Sequence, residues 1–477
     1  MSTANSAFEV DSTGPPVTGR APDIDIEQAH WSVVMASLVT ERRVDDVVVD
    51  PAPTTTTRKA RKLFPWVVFT LTFGLLLSDY MSRQVLSSVF PFLKVEWALS
   101  DTQLGALTSV VALTVGLLAV PLSLLGDRWG RSRSIVLMGA VWSLATVGSA
   151  IAANYDQLML ARVFVGVGEA AYGSVGLAVV LAVFPAYRRA TLSGAFMAGG
   201  SFGSVLGVAL GGALAVQFGW RWSFGAMAIL GLVLVVLYRL LVSDKKLDAH
   251  RIDDLAVGEP VAERGERAKL RTLFSTSSVI YAYLGSGLQL FIAGSLFAWL
   301  PSYLGRAYGL APDKAAGIAA IAILFMGVGM IMCGWITDRL SRHVAIRKWT
   351  TAIIYSLVSL VLLGSAFSLA PGGAQLLFLA VGIFFAAGTT GAAGAMVSNL
   401  THESIRATAF GTLTLANNLL GLAAGPLVTG ILADRFGLAT AMQIVPLAAV
   451  PALVFLVLGR RAYPASLAKV NARVGTR

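Results

Sequence analysis

The sequence predicts an all-α integral membrane protein with twelve transmembrane helices in two pseudo-symmetric six-helix bundles. Three observations predict it. Hydrophobic residues make up 56% of the chain and charged residues only 13%, against roughly 25% charged in soluble domains. Apolar runs long enough to cross a bilayer, which needs about 20 residues, recur at approximately 64–92, 102–125, 133–152, 156–184, 190–217, 222–243, 276–302, 314–336, 348–369, 373–400, 407–432 and 438–459. Finally, motifs in the first half of these runs return in the second half.

Residues 1–62 read as a cytoplasmic, mostly disordered tail. They contain no secretory signal pattern, and the apolar run Trp31 to Val39 is too short to span, so the first span must direct insertion. Arg58, Lys59, Arg61 and Lys62 precede that span. Arg128, Arg131 and Arg133 follow the second, Arg188 and Arg189 the fourth, and Arg339, Arg342, Arg347 and Lys348 the eighth. All fall on one side, so the positive-inside bias places both termini in the cytoplasm of a multi-pass plasma-membrane protein. The net charge of +11 is therefore topological. Its carriers flank spans and do not build an aromatic-interleaved face, which excludes a nucleic-acid partner.

The repeat organises the spans. Asp127-Arg128-x-x-Arg131 returns as Asp338-Arg339-x-x-Arg342, an offset of 211 residues (338 − 127). Arg189-Ala190-Thr191-x-x-Gly194 returns as Arg406-Ala407-Thr408-x-x-Gly411, and Gly203, Gly207, Gly212 and Phe218-Gly219 return as Gly421, Gly425, Gly430 and Phe436-Gly437, an offset of 218 (421 − 203). Residues 63–243 and 276–460 then form the two bundles. The charged segment 244–275 is a solvated cytoplasmic linker, and 461–477 is a cytoplasmic tail. Parallel repeats with a site at their midplane interface describe a transporter that rocks one half against the other.

The segment from Gly126, Asp127 and Arg128 through Trp129-Gly130-Arg131-Ser132-Arg133, its weaker echo around Asp338, Arg339 and Arg342, and Gly219-Trp220-Arg221-Trp222-Ser223-Phe224 resemble the signatures of the major facilitator superfamily. The resemblance covers about residues 64–460 and implies the major facilitator fold. Within that superfamily, Arg162-Val163-Phe164-Val165-Gly166-Val167-Gly168-Glu169-Ala170-Ala171-Tyr172 is similar to the fourth-helix motif of spinster-type transporters. That likeness implies a lysophospholipid or sphingolipid substrate. The spinster pattern places an acid directly before the first-helix arginine, whereas here Ser82 fills that slot and the acid is Asp79, one turn earlier.

Four ionisable side chains lie well inside spans: Asp79 and Arg83 in the first, Arg162 and Glu169 in the fourth. A charge at the bilayer centre costs about 2.5–3.5 kcal/mol on insertion scales, so such residues face a cavity and carry function. Counting about 15 residues into the first span and about 13 into the fourth, at a rise of 1.5 Å per residue, sets Asp79 and Glu169 both near mid-bilayer. Arg83 and Arg162 then cap the acids from the external side. The four histidines, His30, His250, His343 and His402, fall in tails and loops, which leaves Glu169, coupled to Asp79, as the proton carrier. Gly166 and Gly168 are expected to thin the helix beside Glu169 and open room.

An arginine released by its acid can hold an anion through paired hydrogen bonds. Arg83 and Arg162, with Tyr80 and Tyr172 on the same helices and Gln289, Phe291 and Asn417 in the second half, form the expected substrate-binding set. The loop set Gly126, Asp127, Arg128, Arg131, Asp338, Arg339 and Arg342 is expected to lock the cytoplasmic side, Asp127 opposing the positive end of a helix dipole. The reading is a proton-coupled, alternating-access transporter of an amphiphilic anion, monomeric, with protons, membrane lipids and a small-molecule or lipid substrate as partners. A proton symporter of small organic carboxylates and a drug exporter remain the alternatives. Nothing in the loops suggests an enzyme, a cofactor or a metal site, and Cys333, the only cysteine, excludes an intramolecular disulfide.

Overall fold

The computed structural model describes residues 55–250, 276–401 and 406–475, with side chains for all of these except 55–62, 124, 126–128, 186, 190, 406–407 and 471–475. Among the described residues every regular element is helical. Twelve helices are long and apolar enough to cross a membrane: α1 Leu63–Trp97, α2 Asp101–Ser123, α3 Arg131–Ile151, α4 Tyr155–Ala182, α5 Tyr187–Phe218, α6 Trp220–Leu241, α7 Ser277–Tyr308, α8 Pro312–Ser341, α9 Arg347–Ser368, α10 Gly373–Asn399, α11 Thr408–Phe436 and α12 Leu438–Val470. The run Trp31 to Val39 and most of the linker lie outside the described residues. The linker opens with a short helix, Asp244–Ala249, and Asp244 Oδ1 accepts the Ser132 N–H at 2.8 Å.

Local chemistry sets the ends of these helices. Ser100 and Gln103 form a reciprocal capping box at the start of α2, satisfying donors that the first helical turn leaves unpaired. Gly219 and Gly437 make the tight α5–α6 and α11–α12 turns at φ 87° and 82°, a region that only glycine enters freely. The repeated Phe-Gly pair of the sequence is thus one turn used twice. α12 runs past its predicted end through Arg460 and Arg461, because arginine favours the helix as much as leucine does. Charge ends the apolar stretch there without ending the helix.

The packing repeats with the sequence. In the first six spans α3 lies on α4 and α6, and α2 on α4; in the last six α9 lies on α10 and α12, and α8 on α10. The glycine stripe of α5 admits α1: a Cβ at Gly199 would meet Phe73, at Gly203 the Leu77 carbonyl, at Gly207 the Met81 carbonyl, and at Gly211 Ser88 and Val85. Gly421 and Gly425 of α11 admit α7 in the same way, at the carbonyls of Gly287 and Phe291. Small residues let helix backbones approach where no hydrophobic effect drives them together in lipid. The two halves meet along α2 with α11 and α5 with α8.

The apolar clusters show which end of the bundle is shut. One large cluster draws on both halves, including Phe90, Leu104 and Phe224 with Trp299, Ile323 and Met442. Phe90 and Trp299 cross from α1 to α7 with ring centroids 5.2 Å apart. At the opposite end, where the basic loops lie, the clusters separate: Leu75, Met138, Val180 and Phe196 belong to one half, and Ala282, Trp349, Met396 and Leu456 to the other.

Polar contacts tie the shut end as well. Asp434 of α11 accepts the N–H groups of Asp101 and Thr102 at 2.7 and 2.8 Å, placing a carboxylate on the positive end of α2. Arg306 of α7 grips Asp101 through both of its outer nitrogens at 2.8 and 2.7 Å.

A side chain on the glycine stripe should separate α1 from α5. Gly207→Val is expected to cost about 1–3 kcal/mol by overpacking. Gly194→Ala, whose Cβ would have nothing within 4 Å, should leave stability unchanged or slightly raised. Thermal unfolding of the two purified variants in detergent checks both.

Candidate functional site: a buried ionic cluster on α1 and α4

α1 carries Asp79 and Arg83 near its middle, and α4 carries Arg162 and Glu169. α4 is not continuous: its first segment ends at Glu169 and a second begins at Tyr172. Interrupted helices line sites in many transporters. In α1 the Ser82 hydroxyl bonds back to the Ser78 carbonyl at 2.8 Å, so this hydroxyl is satisfied within its own helix and leaves the carbonyl row facing α4 available.

Arg162 takes up that row. Its Nη1 donates to the Ser82 carbonyl at 3.0 Å and its Nη2 to the Arg83 carbonyl at 3.1 Å, and the residue is fully buried. The carboxyl groups of Asp79 and Glu169 lie close enough to interact. Both are buried, and one oxygen of each, Asp79 Oδ1 and Glu169 Oε1, has no hydrogen-bond partner among the described residues. Arg83 Nη1 lies 3.8 Å from Glu169 Oε2, and the Arg83 side chain is 17% exposed against 4% for Glu169. Two acids therefore share a low-dielectric site with one arginine committed to backbone and one that is loosely held and reachable.

The structure brings some of the expected residues to this cluster and sends others elsewhere. Tyr80 packs against Gly200 and Gly203 of α5. Tyr172 is fully buried: its O–H donates to the Thr72 carbonyl at 2.7 Å and its ring meets Trp142 edge-on, so it braces α4 on α1 and α3. Gln289 is also fully buried and donates to the Ala386 carbonyl at 3.2 Å, while Phe291 packs at the edge of the large apolar cluster. Asn417 Oδ1 accepts the Ser286 hydroxyl at 2.9 Å. Arg131, Asp338, Arg339 and Arg342 are exposed at the basic end, and Arg339 lies over the Trp335 ring. The side chains of Gly126, Asp127 and Arg128 lie outside the described residues.

The space beside Glu169 differs from expectation. A Cβ at Gly166 would meet Thr114 and the Val111 carbonyl of α2, and one at Gly168 would meet the backbone of Trp142 on α3. The glycines thin α4 as expected, but neighbouring helices fill the gain.

The sequence reading missed two features. α10 breaks as α4 does, its segments ending at Ala386 and resuming at Thr389, which is the α4 break displaced by 217 residues (386 − 169). A π-helical segment, Asn417–Ala423, interrupts α11, a form common at functional sites; Asn418 Oδ1 is buried there without a partner. The sequence also shows that no charge lies well within the spans of the second half, and the structure gives this asymmetry its pairing. The matched glycine contacts align α1 with α7 at an offset of 210 (287 − 77), so Asp79 corresponds to Gln289 and Arg83 to Ala293. The α10 break aligns Arg162 with Leu379 and Glu169 with Ala386. Where one half has four charges, the other has an amide bonded to a carbonyl.

Residues 72–387 match the family model of the Major Facilitator Superfamily. The chain is 24% identical over 378 residues to a hexuronate transporter of Bacillus subtilis (strain 168), covering 78% of this chain and 88% of that protein. It is 30% identical over 264 residues to protein spinster homolog 1 of Homo sapiens, but spans only about half of it, 49%. Its fold is similar to the crystal structure of a bacterial homolog of the human lysosomal transporter Spinster in an inward-facing, unoccupied conformation, with TM-score 0.75, 20% identity, and 85% of this chain and 98% of that one covered.

The two arginines should respond differently to substitution. Arg162→Lys cannot span both carbonyls and is expected to cost about 1.5–3 kcal/mol, the worth of a charged buried hydrogen bond. Arg83→Lys should cost less than about 1 kcal/mol. Denaturation midpoints of the two variants in detergent measure the difference.

Proposed function

The chain belongs to the Major Facilitator Superfamily and is a multi-pass membrane transporter, and from that premise we propose that it couples proton movement to the transport of an organic anion bound at Arg83. The observation that carries this reading is the arrangement of two buried, neighbouring carboxyl groups with one reachable guanidinium 3.8 Å from Glu169. Two adjacent carboxylates in a buried site cannot both ionise cheaply, so the pair retains a proton. An anion on Arg83 withdraws the cation from Glu169 and so favours a proton there. Linkage is reciprocal: a proton on the pair frees Arg83 for the anion. Cooperative binding of proton and anion is the thermodynamic requirement of a symporter.

In this mechanism Glu169 and Asp79 carry the proton, Arg83 holds the anionic group, and Arg162 positions α1 against α4. The neutral half supplies the opposing wall. The basic end faces the cytoplasm, with both termini there, in the plasma membrane. The halves part at that end and close at the other, and the cycle rocks one against the other. Gly126, Asp127, Arg128 and Arg131, echoed by Asp338, Arg339 and Arg342, secure the basic end when it shuts.

An organic carboxylate is the preferred substrate, because the hexuronate transporter relative matches along most of both chains. A lysophospholipid or sphingolipid is the second reading. It is favoured by the spinster relatives and by the apolar side chains of Phe291, Phe297, Met326 and Met330 on α7 and α8.

Reconstituted vesicles test both. With D-glucuronate and with lysophosphatidylglycerol as substrates, Glu169→Gln and Asp79→Asn should each lose pH-driven accumulation by at least about tenfold while retaining substrate exchange. Arg83→Gln should raise KM by about tenfold, the worth of one charged hydrogen bond. Full pH-driven accumulation by both acid variants would place the coupling elsewhere.

A further inference from the structure

The tied end contains a second cationic site. A cleft of about 730 Å³, part of it open solvent, lies between α1, the end of α7 and the start of α8, lined by Lys94, Arg306, Ser302, Pro91 and Pro312 among others. Asp101 lies against it, with its side chain only 3% exposed. Its carboxylate receives the Lys94 ammonium at 2.6 Å and both outer nitrogens of Arg306. The two cations are each 38% exposed, so they cover the acid and present their remaining donors to the cleft. An ammonium has three N–H groups and a guanidinium five; Asp101 uses one and two of them.

Ser302 points to a ligand independently of these charges. It lines the cleft, is 2% exposed, and its hydroxyl has no partner among the described residues. Asp434 is held on the backbone of α2 and Glu96 on Trp220 and Arg221, so neither competes for these cations. Lys94 and Arg306 thus form a carboxylate receptor whose present occupant is a side chain of the chain itself.

We propose that this cleft is a peripheral carboxylate-binding site, in which an organic carboxylate exchanges with Asp101 for Arg306 and Lys94, bonds to Ser302, and unfastens α2 from α7. Arg306 and Lys94 trade one carboxylate for another, and Asp101, the first residue of α2, is released to water as α2 parts from α7. Because Arg306 belongs to one half and Asp101 to the other, filling the cleft loosens the tie that keeps this end closed. Substrate arriving from that side would then help to open its own path to Arg83. The choice of ligand rests on the carboxylate reading above; the cleft itself does not.

Equilibrium binding of D-glucuronate to the purified full-length protein, with D-glucose as the neutral control, tests the site. Asp101→Asn removes the internal competitor and should tighten glucuronate binding at least about tenfold without affecting glucose. Adding Lys94→Gln or Ser302→Ala to that variant should abolish or reduce the gain, whereas adding Arg83→Gln should preserve it. No gain in Asp101→Asn, a gain shared by glucose, or a gain lost with Arg83→Gln but kept with Lys94→Gln overturns the proposal. If Asp101→Asn does not fold, Ser302→Ala alone should weaken glucuronate binding in an Arg83→Gln background, and unchanged affinity overturns it. Vesicle uptake separates the two readings. Glucuronate uptake by the unaltered protein with no gain in Asp101→Asn removes the cleft site and keeps the transport reading; a gain without uptake does the reverse.

Discussion

Everything in the central site depends on which acceptors Arg162 takes, because only its two outer nitrogens are paired and its Nε has no partner among the described residues. A fully buried guanidinium needs hydrogen-bond acceptors in a region where water and headgroups are distant. The structure supplies two backbone carbonyls of α1, at Ser82 and Arg83. This choice leaves neither carboxyl group neutralised by the cation that lies nearest it in the chain. Glu169 must look to Arg83 at 3.8 Å, and Asp79 must look to Glu169. A site in which every charge had a tight partner would be a rigid brace. Here the brace and the loosely held charge fall to different arginines, and only the second is partly open to solvent.

The internal repeat explains why the charges sit in one half. The same glycine-to-carbonyl contacts hold α1 on α5 and α7 on α11, so both halves share one backbone plan. On that plan the pair formed by Asp79 and Glu169 corresponds to Gln289 bonded to the carbonyl of Ala386. A neutral hydrogen bond fixes the second half at the position where the first half has an ionic, rearrangeable contact. The asymmetry extends to the tied end, where Asp434, which accepts the first N–H groups of α2, corresponds to Val216 at the offset of 218. One seam between the halves is polar there and its mate is apolar, with Ala316 of α8 against Gly212 of α5.

Conformational change is written into the distribution of apolar surface. A single cluster spans both halves at the tied end, while each half keeps its own at the basic end. Separating the halves at the basic end exposes no shared core. Separating them at the tied end must part Phe90 from Trp299 and Asp101 from Arg306, so that end needs a ligand or an energy input to open. The packing thus favours a closed tied end over a closed basic end.

Much of the fold was legible from the sequence because bilayer physics leaves few alternatives: a chain with 13% charged residues and twelve long apolar runs must pair its backbone within helices. Span positions, the repeat, the α5 glycine stripe and the four intramembrane charges follow from composition and spacing. Periodicity also put Asp79 and Glu169 at equal depth. What spacing could not determine was partner choice. Arg162 and Arg83 look equivalent along the chain, and only the packing of α4 on α1 commits one to carbonyls and leaves the other loosely held and partly buried. Tyr172 and Gln289 look like cavity residues but are buried braces, and Gly166 and Gly168 look like gaps but admit α2 and α3. The break in α4 falls at Ala170 and Ala171 with no turn residue to mark it, and Gly388 in α10 and Asn417, Asn418 and Gly421 in α11 do not stand out among the many small and polar residues of these spans. Hydrogen-bond partners between helices depend on rotation and tilt, which the tertiary contacts settle and the one-dimensional pattern does not contain.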